Sequence, residues 1–457
     1  MSNEQHSLPL KTLGAYGFLA FPLAAAFIAL QVIIPTHYAE TTSLSLSTIG
    51  AIILIARLWD TATDPIVGIL SDKTPQRFGR RKIWILASVP FICLSVYALF
   101  NPPEGAGSFY LLFWTLAIYI SGTMAIVPMN AWGAELSPGY QQRNRITGAR
   151  AIFGLVGTMT ALSIPAILGE AGSSNLENTL EGITILTIIT LIIAAGLLLS
   201  VPDNKAIHLP AAQFKEALKL IKEPSPFRQL LTSFLSNSAA NAIPATLFLF
   251  YITYVLQEPL YAGPLLFTYF ICAAVSVPFW VKIAAKVGKQ TTWYWSIVIA
   301  CGFFIWTPFL GEGDIWLYLI IVAGTGFTTG CDLIIPSSMN GDLVEWDDAK
   351  TGYKRPGLFF ALWGTTIKLA YALAIGIAFP LLDLFGFSAN ASNSPEALQA
   401  LAWIYGVPCV LLKGLALWNM RGYPVTEDEY ERIISQSGSD HSHPSDNAVQ
   451  VSQQVAK

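Results

Sequence analysis

Twelve apolar runs separated by short polar loops fill this chain from residue 13 to residue 420, and they decide its fold class. They fall at 13–36, 46–71, 83–100, 109–135, 146–168, 182–201, 229–256, 263–285, 292–310, 315–340, 357–383 and 399–420. A helix needs roughly 20 apolar residues to cross the hydrocarbon of a bilayer, so twelve crossings use about 240. The supply matches, because 53% of the 457 residues are hydrophobic. Only 12% are charged, about half the share found in soluble domains. A soluble enzyme of ordinary composition is excluded. The reading is an all-α polytopic membrane protein with twelve transmembrane helices. A net charge of −3 speaks against a nucleic-acid partner. Cys93, Cys272, Cys301, Cys331 and Cys409 all sit in apolar runs without ligand spacing, so neither a disulfide framework nor a zinc site is expected.

The longest internal polar segment carries Pro202, Pro210, Pro224 and Pro226 and splits the runs six and six. The expected organisation is a cytoplasmic N-terminus over 1–12 and a six-helix bundle over 13–201. A cytoplasmic middle loop over 202–228 follows, then a second six-helix bundle over 229–420 and a disordered cytoplasmic tail over 421–457. The first run is too long, and its flank too weakly basic, for a cleaved signal peptide. Every second loop is basic: Lys73, Arg77, Arg80, Arg81 and Lys82, then Arg143 and Arg145, then Lys205 to Arg228, Lys282 to Lys289, and Lys350, Lys354 and Arg355. The alternate loops hold acids such as Glu40, Glu104, Glu170, Glu258 and Glu312, and no Lys or Arg. The positive-inside rule puts both termini in the cytoplasm.

Ionisable groups in hydrocarbon cost at least about 2.5–3.5 kcal/mol each and call for a partner, a cavity or a function. The second run carries Arg57, Asp60 and Asp64, whose offsets of three and seven place them on one helix face. Two carboxylates one turn apart repel unless a cation or proton lies between them or an Arg neutralises one. They form a candidate site for a monovalent cation, with Arg57 as counter-charge or coupler; the plainer alternative is a salt bridge that locks helices. Arg150 opens the fifth run, and Lys368 lies about 18 Å into the eleventh, too deep to snorkel comfortably. Lys368 is expected to pair with Asp60 or Asp64 or to contact substrate. Asp332 and Lys413 are embedded as well and either pair with each other or with backbone, or serve the substrate. Thr123 offers an uncharged oxygen suited to a hard cation, and Pro128 frees a backbone carbonyl just before Asn130 and Trp132.

These residues resemble a known signature. Arg57-Leu-Trp-Asp60-Thr-Ala-Thr-Asp64-Pro65, then Gly68-Ile-Leu-Ser-Asp72 and Arg77-Phe-Gly79-Arg80-Arg81-Lys82, are similar to the glycoside–pentoside–hexuronide:cation symporters of the major facilitator superfamily. The likeness extends to Pro128-Met-Asn130-Ala-Trp132-Gly-Ala-Glu135, Arg150, Asp342-Leu-Val-Glu345, Thr351-Gly-Tyr-Lys354-Arg355 and Lys368, and covers about residues 10–425. The resemblance implies two six-helix bundles with the cation held by Asp60, Thr63, Asp64 and Thr123. Members with Asn in place of Thr63 are known, which leaves sodium, proton and lithium open as the coupling cation. Arg57, Arg150, Lys368, Asn130, Trp132 and Asp332 are the substrate and coupling candidates. Asp72, Arg80, Arg143, Arg145, Asp342, Glu345 and Lys354 are the candidate cytoplasmic gate. Galactoside permeases of the family use one acid in helix one and another in helix four, and the alignment puts Ala24 and Ile126 there.

The expectation is therefore a monomeric inner-membrane symporter for a sugar-type solute, a glycoside, pentoside or hexuronide and by charge an anionic one. It has no cofactor, no metal beyond the monovalent cation, and no catalytic residue. Animal relatives that carry lysolipids make a lysolipid-like cargo the alternative. A membrane-embedded lipid-modifying enzyme with the span-two acids as acid and base, or a non-transporting sensor, are the readings from other classes. No G-x-x-x-x-G-K-[ST] motif is present to support an ATP-driven pump.

Overall fold

In the computed structural model the described residues are 8–75, 79–136, 140–167, 176–202, 225–351, 356–389, 393–425, 429 and 432. Among them there is no strand, and twelve helices are long and apolar enough to cross a membrane. They are α1 (Leu10–Thr41, with a turn at Phe18 and Leu19), α2 (Leu46–Lys73), α3 (Lys82–Phe100), α4 (Ser108–Leu136), α5 (Tyr140–Ile167) and α6 (Leu176–Leu199). The second set is α7 (Pro226–Phe250), α8 (Ala262–Val287), α9 (Lys289–Phe304), α10 (Ile315–Thr351), α11 (Pro356–Leu384) and α12 (Pro395–Asn419). The first helix starts at Leu10 rather than Leu13, and α10 runs on to Thr351, so Asp342 and Glu345 lie within a helix rather than at its end. Most of the expected middle loop (203–224) and of the tail (433–457) lies outside the described residues.

Local chemistry sets the helix limits. Ser45, Ser225 and Ser394 each place Oγ on a backbone N–H three residues on, capping α2, α7 and α12. Gly288, with φ 84°, makes the short turn from α8 to α9, a conformation that an L side chain resists. The outward faces remain apolar: Ile185, Ile189 and Ile192 stand exposed along α6, and Trp306, Trp316 and Trp418 are exposed near helix ends. That is the surface expected against lipid, with aromatic side chains at the two interfaces.

α2 positions the site. Its buried residues include Ile49, Ile53, Ala56, Asp60, Thr63, Val67 and Ser71, which repeat every three to four positions on one stripe. That stripe faces α4 of its own half and α11 of the other. Close approach of α2 and α11 depends on glycine. A Cβ on Gly50 would stand 2.9 Å from the Phe379 Cβ, and one on Gly376 would stand 2.9 Å from Leu54 Cδ2.

The buried apolar residues form two clusters. The larger takes in the first six helices and continues into the acidic-loop ends of the second six, through Leu247, Tyr251, Ile375, Phe379 and Leu401. The smaller, with Phe227, Trp280, Trp293, Met339, Phe359 and Trp363, belongs to the basic-loop end of the second half alone. The halves thus share one core at the acidic-loop end and keep separate cores at the basic-loop end.

Candidate functional site

Four side chains from three helices converge at the middle of the α2–α4–α11 contact. Thr123 Oγ1 on α4 lies 2.9 Å from Asp60 Oδ1 and 3.1 Å from Asp64 Oδ1, within reach of both carboxylates for its one hydrogen bond. Lys368 Nζ on α11 lies 2.9 Å from Asp60 Oδ2 and 2.6 Å from Asp64 Oδ2. The ammonium therefore sits where a positive charge must sit if two carboxylates one turn apart are both to stay ionised. Five oxygens and one ammonium meet in one place, hard donors with their counter-charge, the chemistry of an alkali-ion or proton site. Thr63 is buried beside them but donates its hydroxyl to the Asp60 carbonyl at 3.0 Å, so only its lone pairs are left for a ligand.

Arg57 is 6% exposed and lies between two rings, 4.8 Å from the centroid of Tyr119 and 5.5 Å from that of Tyr371. Its Nε and Nη2 are buried and have no hydrogen-bond partner among the described residues. Ring faces offset part of the cost of a desolvated guanidinium, but two unmet donors are an unusual expense. Tyr371 also lines a cavity of 520 Å³ between the halves. Arg57 thus stands behind the wall of that cavity.

The other expected substrate residues divide. Asp332 lines the cavity. Lys368 does not, but its neighbours Ile367 and Tyr371 do. Arg150 Nη1 donates to Asn130 Oδ1, and both stand outside the cavity lining. Trp132 is fully buried, with its ring edge-on to Tyr16 and the Lys82 ammonium 5.5 Å over its face. Sequence reasoning missed Asn237 and Asn241, a pair one turn apart on α7, both in the cavity wall. Two amides at i and i+4 in an otherwise apolar span were the signal that could have found them.

The gate candidates lie at the basic-loop end, where two ion pairs each stay within one half. Asp72 pairs with Arg81, which also donates to Ser71 Oγ at 2.7 Å. Asp342 pairs with Lys289 at 2.6 Å, not with the cations of the first half. Arg80, Arg145 and Glu345 stand at the same end of the molecule, Arg145 and Glu345 exposed. The side chain of Arg143, and Lys354, lie outside the described residues.

Residues 15–427 match the family described as MFS/sugar transport protein. The chain belongs to that family. It is a multi-pass membrane transporter of major facilitator type and not an enzyme. It is 26% identical to the sodium-dependent lysophosphatidylcholine symporter 1 of Homo sapiens over 419 residues, 82% of this chain and 76% of that protein. It is 22% identical to the glucuronide carrier protein homolog of Escherichia coli over 436 residues, 91% of each. An uncharacterized symporter of Bacillus subtilis, YnaJ, is 23% identical over 411 residues. The transporter's fold is similar to that of the nucleoside transporter NupG, with a TM-score of 0.65, 13% identity, and coverage of 91% of this chain and 100% of that one.

Proposed function

We propose that this transporter couples a monovalent cation, sodium or proton with lithium as a third choice, to the symport of an anionic sugar-type solute such as a hexuronide. The observation that carries the reading is the closure of Lys368 onto Asp60 and Asp64 beside Thr123. In the empty carrier Arg57 and Lys368 balance the two acids. A bound cation displaces the ammonium and leaves one positive charge in excess near the midplane, where an unpaired charge is costly. An anionic substrate restores the balance, with Arg57, two of whose donors have no hydrogen-bond partner among the described residues, as the cation offered to it. Empty and doubly loaded forms then reorient, and the form carrying the cation alone does not. Coupling follows as a reciprocal binding free energy. The lysolipid alternative draws on the human lysophosphatidylcholine symporter; the glucuronide carrier homolog, with 91% coverage on both sides, supports the sugar acid.

The positive-inside rule makes the basic-loop end cytoplasmic, so halves that share a core at the acidic-loop end, meet at Lys368 near the middle, and keep separate cores at the basic-loop end describe a carrier open to the cytoplasm. The Asp72–Arg81 and Asp342–Lys289 pairs, each within its own half, agree with that state, and rocking is expected to bring Asp342 and Glu345 toward the basic residues of the first half. Both termini are then cytoplasmic, in a bacterial-type inner membrane. A C-terminal alkaline phosphatase fusion should be inactive and a fluorescent fusion bright; the reverse pattern contradicts the orientation.

Gly50→Trp offers a test of the rocking. Overpacking costs about 1–3 kcal/mol and falls only on the state in which α2 and α11 touch. Membrane-impermeant maleimide added from outside should label Ile375→Cys faster in the Gly50→Trp background. Unchanged labelling contradicts closure at this contact. The functional reading itself is tested by counterflow in liposomes, with hexuronides, neutral glycosides and lysophosphatidylcholine offered separately; cation-stimulated uptake of the hexuronide is expected.

A further inference from the structure

The cavity has charged groups of its own, all from the second half. Lys413 on α12 is 1% exposed, and its Nζ donates to Asn237 Oδ1 at 3.0 Å and to Asn241 Oδ1 at 2.7 Å. Asp332 on α10 accepts from Asn241 Nδ2 at 2.9 Å and from Trp293 Nε1 at 2.8 Å. Asn241 stands between the two charges, its carbonyl on the ammonium and its amide on the carboxylate. Among the described residues neither charge has a direct ion-pair partner. An ammonium has three donors and a carboxylate about four acceptor sites, so each keeps capacity beyond its contacts. Lys413, Asp332, Asn237 and Asn241 all line the 520 Å³ cavity.

A pair of charges that only locked helices together would meet directly, because separation leaves more of the desolvation cost unmet. Here an amide holds them apart, facing shared open space. We infer that this cluster is the hydroxyl grip of a glycosyl substrate. Asp332 accepts from one ring hydroxyl while Lys413 donates to its vicinal neighbour, and Tyr269 and Trp363 in the same wall cover the apolar face of the ring. The inference rests on the symport reading and supplies its substrate contacts. It also accounts for Ala24 and Ile126: Ala24 packs toward Gly154 on α5 and Ile126 against the apolar core of the first half. The acid that reads hydroxyls has its place in the second half instead. Arg57, behind Tyr371, is left for the substrate's carboxylate.

The test uses the full-length wild-type chain and Asp332→Asn, a near-isosteric change, in liposomes. Methyl β-D-glucuronide, methyl glucoside, methyl xyloside and lysophosphatidylcholine are compared by counterflow, and the best glycoside is then titrated beside its monodeoxy analogues. A lost hydrogen bond to a charged group predicts binding weakened about tenfold or more by Asp332→Asn. One deoxy analogue should be weakened to the same degree in wild type and no further by the substitution. Lys413→Met should do the same with the neighbouring hydroxyl. Equal losses for every analogue, unchanged affinity in Asp332→Asn, or failure of wild type to take any of the glycosides each overturns the grip. Glycoside binding that follows the expected pattern without any cation stimulation would instead sink the symport reading and leave the grip standing.

Discussion

Replacing either Asp60 or Asp64 by Asn abolishes accumulation of substrate against its gradient while leaving exchange across the membrane intact. With one acid neutralised, the empty carrier holds Arg57 and Lys368 against a single carboxylate. The excess charge blocks its return, so net uptake stops. An anionic substrate alone now balances the site, so the substrate-loaded form still crosses and exchange persists without added cation. In preloaded vesicles the tracer ratio under an imposed cation gradient should fall to about 1, since no coupling free energy remains. Tracer uptake into preloaded and empty vesicles separates the two activities. Preserved accumulation in Asp64→Asn contradicts the assignment of the acids.

Lys368→Met has the opposite signature. Its empty form carries one negative charge in excess, the cation-loaded form is balanced, and the form with cation and anionic substrate is negative again. A charge left unpaired at this depth costs about 3 kcal/mol or more, which slows reorientation about a hundredfold. Substrate exchange and uptake should both collapse, and labelled cation should equilibrate across the membrane without substrate. Retained substrate exchange at wild-type rate would show that Lys368 has no part in balancing the loaded carrier.

The difference between what was readable in the chain and what needed coordinates follows from periodicity. A span announces itself by about 20 apolar residues in series, and charge on alternate loops counts the crossings independently. All twelve helices are therefore visible, and the helix offsets place Arg57, Asp60 and Asp64 on one face of α2, where all three meet α4 and α11. Contacts between helices carry no such signature. The sequence offers Lys368 either acid or the substrate, and only the packing of α11 on α2 brings it to both acids at once. Asp332 and Lys413 were expected to meet directly, pair with backbone or serve substrate; the amide of Asn241 between them was not foreseen, because one turn of α7 gives no hint of its neighbours. Thr63 shares the buried face but turns its hydroxyl to its own helix, a local bond that competes with any ligand.

Binding of one cation between Asp60 and Asp64 can be tested without knowing the substrate. A ligand that binds the folded state raises its stability with concentration. The thermal midpoint of the purified chain, followed against sodium, lithium and pH with choline as the control ion, should rise with at least one of these cations in wild type. It should rise at lower concentration in Lys368→Met, where no ammonium competes, and stay flat in the Asp60→Asn/Asp64→Asn double variant. A double variant that keeps the full wild-type response, or a wild type indifferent to all three, contradicts the account.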